Sequence, residues 1–301
     1  MDYTCLACSK PINGDKAHYG MHEECFIRIF SLNKLEFFSD VAIRYQSEAP
    51  AQGEKRNINS SFFHGKFRKY SSRLGGVSYI LKTRQKEFPE LPLTEFVCNQ
   101  LYEALKINIP PYYLVRFPES EFCFITKNFM PNSPPSTLVH IYHYIENDMI
   151  FDCETLVNVI GEQTGRRIDQ ESFVYLTLAD SLIGNNDRHG RNLGFIQSAN
   201  KSTIAPFYDN PSALGIEDVA MLGADLQPRG CIYTKDSKEP LMKDYVLEWE
   251  RLGYQNVIEN FQKNLSLPQL CDIIHLSYLS DKRKQALIAL IDKRSSEICI
   301  T

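Results

Sequence analysis

Ile183-Gly184-Asn185-Asn186-Asp187-Arg188-His189-Gly190-Arg191-Asn192-Leu193-Gly194-Phe195-Ile196, followed further on by Tyr208-Asp209-Asn210, is the stretch on which the reading of this chain turns. Ahead of it, Phe173, Leu176, Ala179 and Ile183 recur with the period of a helix, with Asp169 as its expected cap. Gly184-Asn185-Asn186 stops that helix, because Gly and Asn tolerate left-handed backbone. Leu193–Gln197 is predicted as a short strand, residues 198–202 as a turn, and Thr203–Tyr208 as the returning strand. A hairpin of that size carries Asp209 back beside Asn192.

Taken singly, these are polar residues of a surface turn. Together they are the groups that phosphoryl transfer from ATP requires. Asp187 would orient the attacking hydroxyl, and Asn192 and Asp209 would hold Mg²⁺ against the phosphates. The step of five from Asp187 to Asn192 is that of the H-R-D-x-x-x-x-N loop of protein kinases. Arg188 is expected to steady the loop or the acceptor-side charge. His189 is placed on the nucleotide side of the loop, packing against the strand of Asp209.

Working outward, Gly75-Gly76 is a turn leading into the strand Val77–Lys82. Period-two alternation puts Tyr79 and Leu81 on one face and Ser78, Ile80 and Lys82 on the other. Lys82 would reach the α and β phosphates. Pro92 precedes a predicted helix over Leu93–Leu105, with an apolar stripe at Phe96, Val97, Leu101, Ala104 and Leu105. Glu95 or Glu103 on that helix could pair with Lys82, and Glu95, nearer the phosphate end, is preferred. Residues 57–68 carry small polar groups and a glycine where a phosphate-covering loop belongs. Ser60, Ser61 and the backbone around them would cradle phosphate. The inter-lobe hinge is placed at Lys127–Met130, with Lys127 and Phe129 against the adenine, whose edge main-chain groups would bond. These readings predict an α+β, two-lobed, protein-kinase-like fold. Residues 31–128 form a small β-rich N-lobe and residues 129–301 a larger, mainly helical C-lobe.

Residues 1–30 form a separate front segment. Cys5, Cys8, His22 and Cys25 (C-x2-C-x13-H-x2-C) make two close pairs of soft ligands suited to tetrahedral Zn²⁺, which would be structural because four protein ligands leave no open position. The Pro11–Asp15 stretch is expected to turn the second pair back onto the first. The remaining cysteines of the nine are scattered among apolar neighbours and read as buried thiols, which fits a reducing, cytoplasmic setting. The first residues lack the pattern of a secretory signal peptide, and no stretch has the ~18–20 apolar residues of a membrane span. With 301 residues, 43% of them hydrophobic, the chain can bury a large core. A net charge of −4 argues against direct nucleic-acid binding, which takes a concentrated basic face.

The Cys-x-x-Cys start with its following His-x-x-Cys, the strand G-G-x-x-Y-I-L-K ending at Lys82, the loop N-x-D-R-H-x-x-N at Asn185–Asn192, and Tyr208-Asp209 resemble the HipA-like serine/threonine kinases, toxins of bacterial toxin–antitoxin systems. The chain resembles the short, HipT-like form, with only about fifty-five residues before the phosphate loop. The resemblance implies a serine/threonine protein kinase using ATP and Mg²⁺, in a bacterial cytoplasm unless exported into a host. It implies autophosphorylation of loop serines, for which Ser60 and Ser61 qualify by position. It also implies a protein substrate such as an aminoacyl-tRNA synthetase, an antitoxin, and a small separate protein standing in for the missing N-terminal subdomain. One departure is plain: many members have S-G-V-Q-x-K in the phosphate loop, whereas Ser61–Lys66 reads S-F-F-H-G-K.

Two other readings compete. D-R-H-x-x-N also resembles the catalytic loop of phosphatidylinositol kinases, but no basic amphipathic helix is found for an anionic membrane. The nearest, Asp281–Ile298, has Ala286, Leu287, Leu290 and Ile291 expected to pack on the C-lobe. The other is a non-catalytic, kinase-like interaction module, disfavoured by the joint presence of Asp187, Asn192 and Asp209.

Overall fold

The structure, a computed structural model, describes residues 3–12, 17–44, 69–117, 121–130, 135–145, 150–223 and 226–298. Ser60, Ser61 and the rest of the expected phosphate loop lie outside the described residues, as does most of the expected Pro11–Asp15 turn.

The chain opens with a small antiparallel pair, β1 (Tyr3–Thr4) and β2 (Pro11–Ile12), followed by helix α1 (Glu23–Phe30). A five-stranded antiparallel sheet comes next, in the order β3 (Ser39–Arg44), β4 (Lys69–Leu74), β5 (Val77–Thr83), β7 (Phe122–Lys127), β6 (Tyr112–Arg116). Gly75 and Gly76 make the β4–β5 turn with φ of 57° and 75°, a two-residue connection that demands positive φ at both positions. One face of the sheet buries Leu74, Tyr79, Leu81, Val115, Cys123 and Ile125 against Phe26 and Phe30 of α1 and against Phe38. Each such aromatic or aliphatic side chain contributes roughly 2 kcal/mol by its burial. Helix α2 (Leu91–Ala104) packs across β5, β6 and β7. Pro92 lies inside the first turn of α2, where its missing N–H leaves no bond unmade.

A second sheet, β8 (Thr137–His140), β9 (Gly194–Ser198) and β10 (Lys201–Ile204), has the order β10-β9-β8. The rest is helical: α3 (Cys153–Thr164), α4 (Arg167–Ile183), the single turn α5 (Ala213–Ile216), α6 (Met242–Arg251), α7 (Gln255–Asn264), α8 (Leu267–Leu276) and α9 (Asp281–Ile298). The central helix α4 buries every residue from Phe173 to Ile183 except Tyr175. Within that apolar surround Trp249 of α6 donates its indole N–H to Thr177 at 2.8 Å. On α9, Leu287, Leu290 and Ile291 are buried and Ala286 partly so. Two of its basic residues are buried as well: Arg283 binds the Leu214 carbonyl and Glu90, and Arg294 binds Ser181 and the Pro228 carbonyl.

Three local expectations are corrected. The returning strand ends at Ile204 rather than Tyr208: Pro206 has no N–H for a ladder, and the Phe207 N–H donates to the Asn108 carbonyl. The hairpin turn is tighter than five residues, because Ser198 pairs directly with Lys201. Asp169 does not cap α4, which begins after Arg166. It lies in the first turn, where it accepts the Ile204 N–H.

Candidate active site

The site is assembled from the C-terminal end of α4 and from two segments that fold back on it. Gly184 ends the helix at φ 79°, where a side chain would be strained, and a Cβ there would lie 2.6 Å from Leu290 and force it to shift. The Asn185 side chain then accepts the Asp187 N–H at 3.0 Å and donates to Asp180 at 3.0 Å, fixing the first turn of the loop. Asn192 closes the loop. Its side-chain NH₂ donates to the Asp187 carbonyl at 2.7 Å, leaving the amide oxygen as its remaining ligand atom.

Arg188 is not on the acceptor side. It is 1% exposed and acts as the pillar beneath the loop. Its guanidinium grips Asp180 of α4 with two bonds of 2.8 and 2.9 Å. Two further bonds, each 2.8 Å, reach the Tyr208 carbonyl and the Asn210 side chain. Asp180 also accepts a short bond from the Tyr102 hydroxyl of α2. Asn210 in turn donates to Asn99 of α2 at 3.1 Å. Thus Asp209 is returned to the loop by the guanidinium holding both its neighbours, and not by the hairpin alone. Asp209 itself has φ 54°, an uncommon state for a non-glycine residue but one that Asp tolerates better than most.

The two carboxylates of the site are held in opposite electrostatic states. One Asp209 oxygen meets the Lys82 ammonium at 2.7 Å and the other meets Lys69, the first residue of β4, at 2.7 Å. Burial pushes the Asp209 carboxyl up, but the two ammoniums outweigh it and hold the group well below the usual carboxylate range. Lys82 is buried and also contacts Glu95 closely. Despite its burial, the Asp209 and Glu95 charges keep it protonated. Asp187 has the reverse environment. Its Oδ1 is buried without a hydrogen-bond partner among the described residues, and His189 Nε2 lies 3.7 Å from it. Burial first, and then the Asp209 charge, push its pKa up to about 7, against the pull of Arg188, Lys69 and Lys82. Two acids in one cleft with their pKa values driven apart is the arrangement in which one stays a charged ligand and the other can exchange a proton.

Of the residues singled out in the sequence, Asp187, Asn192, Asp209, Lys82 and Glu95 are brought together. Glu103 lies apart and accepts the Tyr112 hydroxyl instead. His189 is drawn toward Asp187, and its Nδ1 accepts the Arg191 N–H. At the hinge, part of the main chain is already engaged. The N–H groups of Lys127, Asn128 and Met130 donate to the Pro111 carbonyl, the Ser78 carbonyl and the Asn128 side chain. Lys127 has its side chain exposed, and the Phe129 ring stacks on Tyr208 at 5.5 Å, next to Asp209. Phe129 is therefore packed against the residue that precedes Asp209. The front-segment residues Cys5, Cys8, His22 and Cys25 converge on one another, remote in sequence from the cleft.

Sequence reasoning missed Lys69, Asp180 and Asn210. Asp180 had a signal: it is the one charged residue in the run Leu176–Ile183 of a buried helix. Lys69, at the start of a strand, had none.

Oxygen donors from Asn192 and Asp209 suit a hard cation such as Mg²⁺. Asp209 already accepts cationic groups on both of its oxygens, so the residues present fit that ion. Among the described residues no helix is long and apolar enough to cross a membrane.

The profile of the HipA-like C-terminal domain family matches residues 53–230. A curated protein of Haemophilus influenzae, provisionally named a kinase, is 27% identical over 151 residues, and the chain spans 44% of that relative's length, with 44% of this chain covered. Among solved structures, the proinflammatory kinase CtkA of Helicobacter pylori superposes with a TM-score of 0.63 at 17% identity, covering 76% of this chain and 90% of that one. HipA of Shewanella oneidensis, from a toxin–antitoxin complex with HipB and operator DNA, superposes with a TM-score of 0.57 at 13% identity, covering 98% of this chain and 72% of that one. The shared fold is that of a kinase.

Proposed function

The chain belongs to the HipA-like C-terminal domain family and has the fold of a kinase, and from that premise we propose that it moves the γ-phosphoryl group of ATP to a serine or threonine hydroxyl of a protein. The observation that carries this reading is the contrast between the two carboxylates. Asp209 is pinned and ionised between Lys82 and Lys69, while Asp187 stands beside it with an unbonded oxygen and a pKa near neutrality.

Each residue has a task in that reaction. Lys82, held by Glu95, engages the α and β phosphates. Asn192 and Asp209 would hold Mg²⁺, which would supply electrostatic stabilisation of the charge developing on the transferred phosphoryl group. Asp187 takes the hydroxyl proton as the acceptor oxygen attacks. A base with its pKa near the working pH is well matched to that step. Phe129 and Tyr208 close the cleft beside Asp209 and keep water from the reacting phosphate. Ser60 and Ser61, which precede Lys69 in sequence, are the proposed sites of autophosphorylation. Family membership supports an antitoxin and a small companion protein as partners. An aminoacyl-tRNA synthetase is the substrate class it suggests. The burial of Arg283 and Arg294 in α9 speaks against a lipid surface as acceptor.

The test is transfer from γ-labelled ATP. Wild-type protein with Mg²⁺ should label protein serines or threonines, its own residues 57–66 among them. Asp187→Ala should lower transfer by at least ~10²-fold, the scale of a lost general base. Undiminished transfer in that variant removes Asp187 from its role, and label confined to lipid or small molecules rejects a protein acceptor.

A further inference from the structure

The front segment holds four side chains that the cleft does not use. The ligand atoms of Cys5, Cys8, His22 and Cys25 all lie within 4.8 Å of one another. His22 Nδ1 is 3.5 Å from Cys8 Sγ and 3.9 Å from Cys25 Sγ. A tetrahedral zinc, with Zn–S about 2.3 Å and Zn–N about 2.0–2.1 Å, sets sulfur and nitrogen ligands about 3.6 Å apart. The three thiols are free, so the cluster is not a disulfide pair with a bystander.

The surroundings are built for thiolates. Cys5 and Cys8 flank a tight turn after β1, closed by the Ser9 N–H on the Cys5 carbonyl at 2.9 Å and opened by the Cys5 N–H on the Lys10 carbonyl at 2.9 Å. His22 immediately precedes α1 and Cys25 lies in its first turn, so the helix start presents both to the turn. The His22 backbone N–H donates to Cys5 Sγ at 3.4 Å, and the Arg28 guanidinium reaches Cys25 Sγ at 3.7 Å. His22 Nε2 is 3.1 Å from the Pro11 carbonyl. A carbonyl only accepts, so Nε2 carries the proton and Nδ1 turns its lone pair toward the three sulfurs. This is how a second-shell oxygen fixes the tautomer of a metal-binding histidine.

We propose that Cys5, Cys8, His22 and Cys25 bind one structural Zn²⁺ that fastens the β1–β2 turn to α1 and so braces the back of the N-lobe sheet. Four protein ligands leave no position for substrate. The bracing follows from packing: Phe26 and Phe30, just beyond Cys25, lie in one cluster with Tyr79 and Leu81 of β5, and the next residue of that strand is Lys82.

The test is metal content and cobalt spectroscopy on the full chain at rest, so its outcome does not depend on phosphotransfer. Reduced wild-type protein should carry one zinc per chain by elemental analysis. Refilling with Co²⁺ should give the intense visible bands of a tetrahedral site and thiolate charge-transfer absorption, with an end-point at one equivalent. Chelation should lower the midpoint of thermal unfolding. Cys8→Ser should weaken metal binding by at least ~10-fold, His22→Cys should retain a tetrahedral spectrum, and Cys271→Ser should change nothing. Metal-free wild-type protein that gives only the weak spectrum of octahedral cobalt overturns the proposal, and so does equal loss in Cys271→Ser. Should Cys8→Ser fail to fold, the wild-type cobalt titration decides alone.

Discussion

Replacing Asp187 with asparagine should stop phosphotransfer and, in the same protein, make the fold harder to unfold. The carboxyl is only 12% exposed, and its pKa is displaced upward from the ordinary 3.8 to about 7. As the pH rises from 4 to 7 the unfolded chain gives up this proton while the folded chain keeps it. The folded state then binds more protons, and stability falls with pH across that window. For this one group the loss is about 2 kcal/mol at pH 5 and about 4 kcal/mol at pH 8, where it is complete. Asparagine has the same shape and no charge to strand, so Asp187→Asn should exceed wild type by a margin that grows over that range. The assay is urea unfolding of both proteins in magnesium-free buffer at pH 5, 6, 7 and 8. A margin that does not change with pH, or a variant less stable than wild type at pH 8, would refute the claim that burial and Asp209 drive Asp187 toward its neutral form.

Asp180→Asn should leave the Arg188 guanidinium buried with a neutral partner. Breaking a buried pair costs about 3–5 kcal/mol, to be read as a lower urea midpoint, and a midpoint within error of wild type would remove Asp180 from the pillar. Lys69→Met should lower the Mg²⁺ concentration needed for half-maximal transfer several-fold, because one of the two cations competing for Asp209 is gone. A higher requirement would mean that Lys69 serves the phosphates instead. Glu95→Gln should reduce transfer by about 10-fold or more while the circular-dichroism spectrum stays unchanged, since Lys82 keeps Asp209 but loses its fixed position. Unaltered kinetics would make the pair a packing feature only.

What could be read from the sequence was what local geometry dictates. The step from Asp187 to Asn192 is set within one turn, and the alternation along β5 alone decides that Lys82 faces away from Tyr79 and Leu81. Glu95 followed from its place in the first turns of α2. The limits appeared wherever a partner lies far along the chain. Lys69 is 140 residues from Asp209, and no periodicity links a strand's first residue to a carboxylate so distant. For Arg188 the polar neighbours left two roles open, steadying the loop or the acceptor-side charge. Only the packing of α4 shows that Asp180 waits beneath it. At the hinge, likewise, the Lys127 and Asn128 N–H groups are taken by the Pro111 and Ser78 carbonyls, partners that local sequence does not name.

The guanidinium of Arg188 bonds at once to α4, to the carbonyl before Asp209 and to the amide after it. Asp209 consequently has no independent hinge. Swinging it out of the cleft would strip three elements of their shared anchor and leave a buried cation stranded, so the lower jaw of this machine is a casting. Control of that carboxylate is left to the partners it meets from the other side, Lys69 of β4 and Lys82 of β5.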